Sequence, residues 1–458
     1  MKTTRRRFLK RSAAAAAVVS MPYVWTNRSV YGQDANSKPT IAAIGVGGSR
    51  GRYNRGGSIA RQAAKFGQMI AVCDVDDLHT AEFNKSFGNK LNCYRDYRVL
   101  FEKEKPDVVT IGTPDHWHVA IAIAALRAGC DVYCEKPLTL TIEEGMRIRQ
   151  VVEETGRVFQ VGTQQRSENG LRFLKAIALV QSGRLGKHVN AYVAIGGAPS
   201  GGPFPSTDPP EGLDWDLWLG PAPKAGYSEQ RRRMFRWWFE YSGGKMTDWG
   251  AHHIDIAQWA LGFSQSGPVQ VRAAGEFTPI VPEHFQWKAF LDGKIKLPDG
   301  YNTATRFSIE LTFANGAVLS VNDRYQREGD NVDIRNGILF EGDQGRIFVN
   351  RGKLEGKPVE SLTEADNKEL EERIVELYKG KKPGSHMANF FECIADRTQP
   401  VSDVATHHRT MTSCHLCNIA LMLGRELRWD PDRERFVDDD EAAAFITRAR
   451  RKGYPLEA

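Results

Sequence analysis

Cysteine is scarce and odd in number, 7 in 458 residues, and the seven are scattered. That excludes a disulfide-stapled scaffold. Cys73, Cys130 and Cys134 stand in apolar, strand-like text, where a thiol behaves as a small core residue. Long apolar runs are missing too. Ala13 to Val19 is too short to span a bilayer as a helix, and no later run approaches that length, so the mature chain is expected to have no membrane span. Charge of one sign is missing once its source is located. The formal net charge of +6 is matched by the six Lys and Arg among residues 1–11, which contain no acid. Without them the chain is near neutral and lacks the electrostatic footprint of a nucleic-acid-binding protein. There is no internal repeat or low-complexity segment. The roughly 420 residues beyond the N-terminal region suffice for two or three domains with sizeable cores.

The N-terminal order, basic then apolar, is that of a signal peptide. Thr4-Arg5-Arg6-Arg7-Phe8-Leu9-Lys10 matches a twin-arginine signal at every position, with Arg5 and Arg6 as the pair. Such signals are receptor-read addresses. Residues 1–36 are therefore expected to be a signal peptide and linker read by the twin-arginine export machinery, with cleavage near Gln33 and a periplasmic or otherwise exported product. The plainer alternative is a basic tail that binds anionic surfaces.

Thr40 to Ile44 reads as a buried strand and runs into Gly45-Val46-Gly47-Gly48-Ser49-Arg50-Gly51. Glycines let a backbone turn tightly against a pyrophosphate seated on a helix N-terminus. The third glycine of G-x-G-x-x-G falls at Arg50, with Gly51 one residue late. A second strand, Met69 to Cys73, ends in Asp74, where an acid can accept from a ribose 2′-hydroxyl and repel a 2′-phosphate, favouring NAD over NADP. Strands at Asp107–Thr113 and Asp131–Glu135 alternate with helices at Val119–Ala128 and from about Ile142, the text of a doubly wound parallel sheet. Two polar clusters fall at strand ends, where such sheets bind ligands: Thr113-Pro114-Asp115-His116-Trp117-His118 and Glu135-Lys136-Pro137.

After about Gly162 the pattern changes to alternating strands at 189–195, 305–313, 317–322, 338–341 and 346–349, implying a largely antiparallel sheet. An open sheet with one apolar face needs a cover, which a second copy could supply. The aromatics around Trp215, Trp218, Trp237 and Trp238 either pack under a loop or form a sugar-binding wall. The densest chemistry is Gly243-Gly244-Lys245-Met246-Thr247-Asp248-Trp249-Gly250-Ala251-His252-His253-Ile254-Asp255. With residues 247–260 helical, Asp248, His252 and Asp255 share one face and His253 points about 100° away. The same residues could be buried and satisfied, or could bind a metal. His407, His408, Cys414, His415 and Cys417 look superficially like a zinc site, but a C-x-x-C without a second pair reads better as packing.

The glycine loop, Asp74, Thr113-Pro114, Glu135-Lys136-Pro137 and G-G-x-x-x-D-x-G-x-H-x-x-D together resemble the glucose–fructose oxidoreductase/inositol dehydrogenase/MocA family over nearly all of the mature chain. The resemblance implies a Rossmann-type NAD domain at 37–162. It also implies an α+β domain with a large, mostly antiparallel open sheet at 163–382, and helices at 383–458 docking back on the first domain. It implies catalysis by Lys136, Asp248 and His252 with Asp255 in support, and no metal. NAD is expected on Gly45, Gly47, Gly48, Arg50, Gly51, Asp74, Thr113, Pro114, His118, Glu135 and Lys136. The substrate is expected on Lys136, Gln164, Arg166, Trp238, Asp248 and His252. A homodimer or homotetramer is implied, with a sugar, glycoside or cyclitol as substrate and hydride transfer to tightly bound NAD as the reaction.

An exported protein cannot draw on a soluble nicotinamide pool, so its cofactor must stay bound and be reset in place. That leaves a ping-pong oxidoreductase, a redox-neutral glycosidase or epimerase using transient oxidation, or reoxidation by an external acceptor. A non-catalytic carbohydrate-binding protein on the same scaffold is the non-enzyme alternative.

Overall fold

The computed structural model describes residues 38–457 apart from 53, 330 and 331. The expected signal segment 1–36 lies outside the described residues.

The first sheet has six parallel strands: β1 (Thr40–Ile44), β2 (Gln68–Cys73), β3 (Asn92–Tyr94), β4 (Val108–Ile111), β5 (Asp131–Cys134) and β6 (Phe159–Val161). Their order is β3-β2-β1-β4-β5-β6. The central strands are apolar on both faces because both faces are covered. Ile41, Ala43, Val72 and Val108 pack with Ile59, Phe83 and Phe390 on one side. Ala42, Ile44, Val109 and Ile111 pack with Ile121, Ala125 and Ile148 on the other. Acidic and hydroxyl caps start the helices: Asp76 accepts from Leu78 N before helix Asp77–Lys85, and Thr141 accepts from Glu144 N before helix Ile142–Thr155. The chain reverses its winding between β1 and β4, and a crevice opens there at the carboxyl ends of the strands.

The second sheet is mixed and mostly antiparallel. Its strands are β7 (Val189–Ala194), β8 (Gln270–Glu276), β9 (Arg306–Thr312), β10 (Val318–Asn322), β13 (Gly337–Gly342), β14 (Gly345–Val349), β15 (Leu354–Glu355), β16 (Leu427–Asp430) and β17 (Arg435–Phe436). A separate small ribbon pairs β11 (Tyr325–Arg327) with β12 (Val332–Ile334). The large sheet runs β15-β14-β13-β7-β10-β9-β8-β16-β17, and β7 with β10 is its parallel pair. On β9 the alternation is clean: Phe307, Ile309 and Leu311 point inward, Arg306, Ser308 and Glu310 outward. The apolar face is covered by the chain's own helices Arg172–Gln181, Gly250–Ala260 and Val404–Leu423. The uncovered apolar face that would call for a second copy is therefore absent among the described residues.

Helix His386–Asp396 puts Met387, Phe390 and Cys393 into the core of the first sheet. Among the described residues, no helix is long and apolar enough to cross a membrane.

Candidate active site

A cavity of roughly 500 Å³ runs along the carboxyl ends of β1, β2, β4 and β5, from Asp74 and the glycine loop to His252 and Arg351. Gly45 turns out of β1 at φ +73, and a Cβ there would sit 2.5 Å from Thr113 Cγ2. The helix that follows begins only at Arg55, and Gly56 approaches so closely that a Cβ would lie 1.8 Å from Gly45 O. Gly56 thus does the close-packing work expected of a glycine at position 50, because the loop is several residues longer than the usual motif.

Asp74 is 9% exposed at the end of β2. Gly47 N donates to it at 3.0 Å and Asp76 N at 3.1 Å, so its carboxylate is fixed toward the loop. The arginines nearby are taken up by other carboxylates: Arg95 by Asp77, Arg232 by Asp76, Arg233 by Glu229. They do not offset Asp74 where a 2′-phosphate would lie. A tight glycine turn with an oriented acid beside it fits NAD.

At the far end, Lys136 Nζ donates to Asp248 Oδ1 at 2.6 Å and to Asp248 O at 3.0 Å. Arg236 Nε approaches the same Oδ1 at 3.5 Å. Burial alone would raise the Asp248 carboxyl, but the Lys136 and Arg236 charges outweigh it and hold it well below the carboxylate range. Asp248 ends helix Gly244–Asp248, and helix Gly250–Ala260 continues through Trp249, which is itself helical in backbone. This carries His252 to the cavity wall. Burial, then the charges of Lys136 and Arg351, push His252 well below the ordinary histidine range, so its ring is neutral. Its Nδ1 is buried without a hydrogen-bond partner, which leaves Nε2 as the nitrogen open to the cavity. A neutral imidazole beside an ammonium can take a proton from a hydroxyl while the ammonium stabilises the alkoxide.

Residues 40–163 match the oxidoreductase family, NAD-binding Rossmann fold, and residues 203–279 and 291–456 match its C-terminal alpha/beta domain. The chain belongs to the Gfo/Idh/MocA oxidoreductase family. It is 22% identical over 358 residues to D-glucoside 3-dehydrogenase of Escherichia coli, covering 70% of this chain and 90% of that protein. It is 34% identical over 169 residues to the uncharacterized oxidoreductase YfiI of Bacillus subtilis, a match spanning 34% of this chain and only 41% of YfiI. The WlbA dehydrogenase of Bordetella pertussis, solved with NADH and UDP-GlcNAcA, shares the fold at a TM-score of 0.60 and 15% identity, over 87% of this chain and 99% of that one. The Rossmann domain of this family member is an NAD-binding domain.

Not every residue expected at the family's site reaches the cavity. Gly45, Gly47, Gly51, Thr113, Pro114, Glu135 and Gln164 line it, whereas Gly48 faces His79 and Glu82, and Arg50 reaches out to Glu211 O at 2.7 Å. His118 lines it too, but its nitrogens sit 2.7 Å from Pro137 O and 2.8 Å from Thr113 O, pinning the two strand ends. Asp248 does not line it and meets the site through its ion pair with Lys136. Arg166 does not line it either. The short turn Gln164–Arg166 rotates it inward, where its guanidinium clasps both oxygens of Asp255, donates to Val401 O and Thr406 Oγ1, and lies over Trp259. Asp255 therefore supports the catalytic helix through Arg166 and Thr410. Trp238 is fully buried, donating its indole N–H to Asp299 at 3.1 Å, and does not line the cavity. The aromatics on the wall are Tyr97, Trp117, Trp218 and Phe235. The zinc-like cluster is dispersed among separate partners: Leu138 N donates to His407, His408 meets Glu434, and His415 meets Thr139.

Arg55, Arg351, Arg236, Gln165 and Glu168 line the cavity without having been singled out by motif. Arg236 stands beside the Trp237-Trp238 pair, an available signal. Arg351, in a loop after β14, has none.

Proposed function

We propose that this protein is an exported NAD-dependent oxidoreductase acting on a hydroxyl of a sugar, glycoside or cyclitol. The observation that carries the reading is that Lys136 and His252 line one cavity with the glycine loop, with Lys136 ion-paired to Asp248, which does not itself line it. Bound NAD supplies the hydride acceptor. His252 Nε2 takes the hydroxyl proton. Lys136 keeps Asp248 ionised and turns its charge toward the forming alkoxide, and Asp248 holds a neighbouring hydroxyl to fix the ring. Trp117, Trp218 and Phe235 give apolar wall for a sugar face. The twin-arginine heptapeptide at residues 4–10 supports export. Pairing into a homodimer or homotetramer would use the outward, largely polar face of the second sheet.

A redox-neutral variant, in which the hydride returns to the same substrate after cleavage or epimerisation, is favoured by one feature. The loop that faces the nucleotide is tied to the chain segment 211–237, through Arg50 to Glu211 O, Asp214 N to Val75 O, and Arg232 to Asp76. A cofactor enclosed in this way must be reset where it lies. Denaturing the purified mature protein should release NAD(H), and a panel of sugars and glycosides should be tested for growth of the NADH band. Protein free of nucleotide that also fails to bind added NAD refutes the reading.

A further inference from the structure

The reactive end of the cavity is lined by Lys136, Arg236 and Arg351, against Glu168 on its wall and Asp248 behind Lys136. Asp248 already faces Lys136 and Arg236, and Lys245 lies behind it over the Trp237 ring. Arg351 stands on the opposite wall, beside His252. It is held without a carboxylate: its guanidinium lies 4.6 Å over the Trp249 ring, and Nε donates to the Gln165 amide oxygen at 3.2 Å once that amide is oriented to satisfy both its neighbours. Gln165 in turn donates to His252 O at 3.1 Å, so the arginine is braced against the catalytic helix. Among the described residues no carboxylate forms an ion pair with Arg351, and its two terminal nitrogens have no protein acceptor. Burial lowers Arg351 from its ordinary range, and Asp248 and Glu168 offset this only in part.

A guanidinium stacked flat on an aromatic ring, anchored by one nitrogen and open at the other two, presents the planar fork that matches a carboxylate bidentately. We propose that Arg351 reads an acidic group on the substrate, so that the sugars this protein acts on are carboxylates, uronic or aldonic acids, rather than neutral hexoses. This rests on the reading above that the site takes a sugar. A neutral sugar would leave the fork unmatched in a partly desolvated wall, whereas a carboxylate would pair with it.

The test uses full-length mature protein loaded with NAD. Titration calorimetry compares methyl glucuronide, methyl galacturonide and gluconate with methyl glucoside, methyl galactoside and glucose 6-phosphate, for wild type, Arg351→Ala and Arg351→Lys. At least one acid should bind roughly ten- to hundredfold more tightly than its neutral counterpart, the range expected of a charge-assisted pair. Arg351→Ala should remove that preference while leaving NAD content unchanged, and Arg351→Lys should keep only part of it. The proposal is overturned if no acid outbinds its neutral counterpart, if the preference survives in Arg351→Ala, or if the phosphate is preferred to every carboxylate. Growth of the NADH band is read separately. Arg351-dependent binding of an acid with no reduction would refute the oxidation reading and leave the anion site standing.

Discussion

Lys136→Met removes one charge from a pair that is nearly out of water, and its two consequences can be read apart. The ammonium lies 2.6 Å from Asp248, with the two side chains 12% and 18% exposed. Met fills the same space, so the loss is of charge and donors. A fully buried ion pair stripped of one partner costs about 3–5 kcal/mol. Here Arg236 remains 3.5 Å from the same oxygen, so a cost of about 1–3 kcal/mol is expected in denaturant unfolding. The rate effect is larger. A donor aimed at a developing oxyanion contributes on the order of 10²–10³ in rate, and single-turnover reduction of bound NAD should slow by that factor. The pH profile supplies the mechanistic signature. His252 is competent only when unprotonated, so the rate falls as pH falls through its pKa. Burial and Lys136 hold that pKa well below the ordinary histidine range, so the wild-type rate should stay flat through neutral pH and drop only in acid. Without Lys136 the histidine gains proton affinity, and the acid limb should move to higher pH. His253→Ala is the control: its Nε2 faces Asn336 at 3.2 Å and it does not line the cavity. A Lys136→Met protein with near wild-type turnover and an unmoved acid limb would refute the assignment of both residues.

Three further outcomes follow. Asp74→Ser should narrow the preference for NAD over NADP by at least tenfold in binding to nucleotide-stripped protein; an unchanged ratio would mean that Asp74 does not face the 2′ position. Arg166→Met should destabilise the fold by about 3–5 kcal/mol, since it leaves the buried Asp255 without its charge partner. Arg373→Ala, which breaks an exposed pair with Glu369, should cost at most about 1 kcal/mol, and equal denaturation midpoints for the two variants would contradict this. Arg232→Ala unlatches segment 211–237 from the buried Asp76 and should hasten loss of bound NAD on gel filtration; full retention through the same column would show that the latch does not hold the nucleotide.

Four strands of the parallel sheet, β1, β2, β4 and β5, were legible because they read as short apolar runs with acids or glycines at their carboxyl ends. The edge strand β3, Asn92-Cys93-Tyr94, is largely exposed and, like the three-residue β6, gives no such run. Thr40 to Ile44 matches β1 to the residue. The Asp248–His252 spacing was legible because a helical period brings residues four apart to one face, and the short irregularity at Trp249 does not change it. Gly56 was hidden by loop length: nothing local says that the helix starts eleven residues after β1 ends. Trp238 and Arg166 were misplaced for a different reason. Both have apolar and polar faces, and which one wins depends on a distant partner, Asp299 for the indole and Asp255 for the guanidinium. Gln164 and Gln165 line the cavity while the next residue turns away, a distinction made by a single 3₁₀ turn. Arg351 is the extreme case, meaningful only through Trp249 and Gln165, each about 100 residues or more away in sequence.

The nucleotide end and the reactive end solve opposite electrostatic problems with the same side chain. Around Asp76 and Asp77, Arg232, Arg50 and Arg95 each meet a carboxylate, and the Arg232–Asp76 pair, with Arg50 donating to Glu211 O, joins segment 211–237 to the first domain. These pairs leave Asp74 as the oriented anion at the end of β2. Around His252, Arg351 lies over Trp249 and is braced by Gln165, with no carboxylate in ion-pair contact among the described residues. An enzyme whose cofactor has to stay bound gains from this division. On the proposed reading its cofactor would be retained under segment 211–237 by the Arg232–Asp76 pair, which exchange of substrate and product does not disturb. The ligand that must come and go meets cations held ready by an aromatic ring and an amide, contacts that leave the charge itself free to be matched.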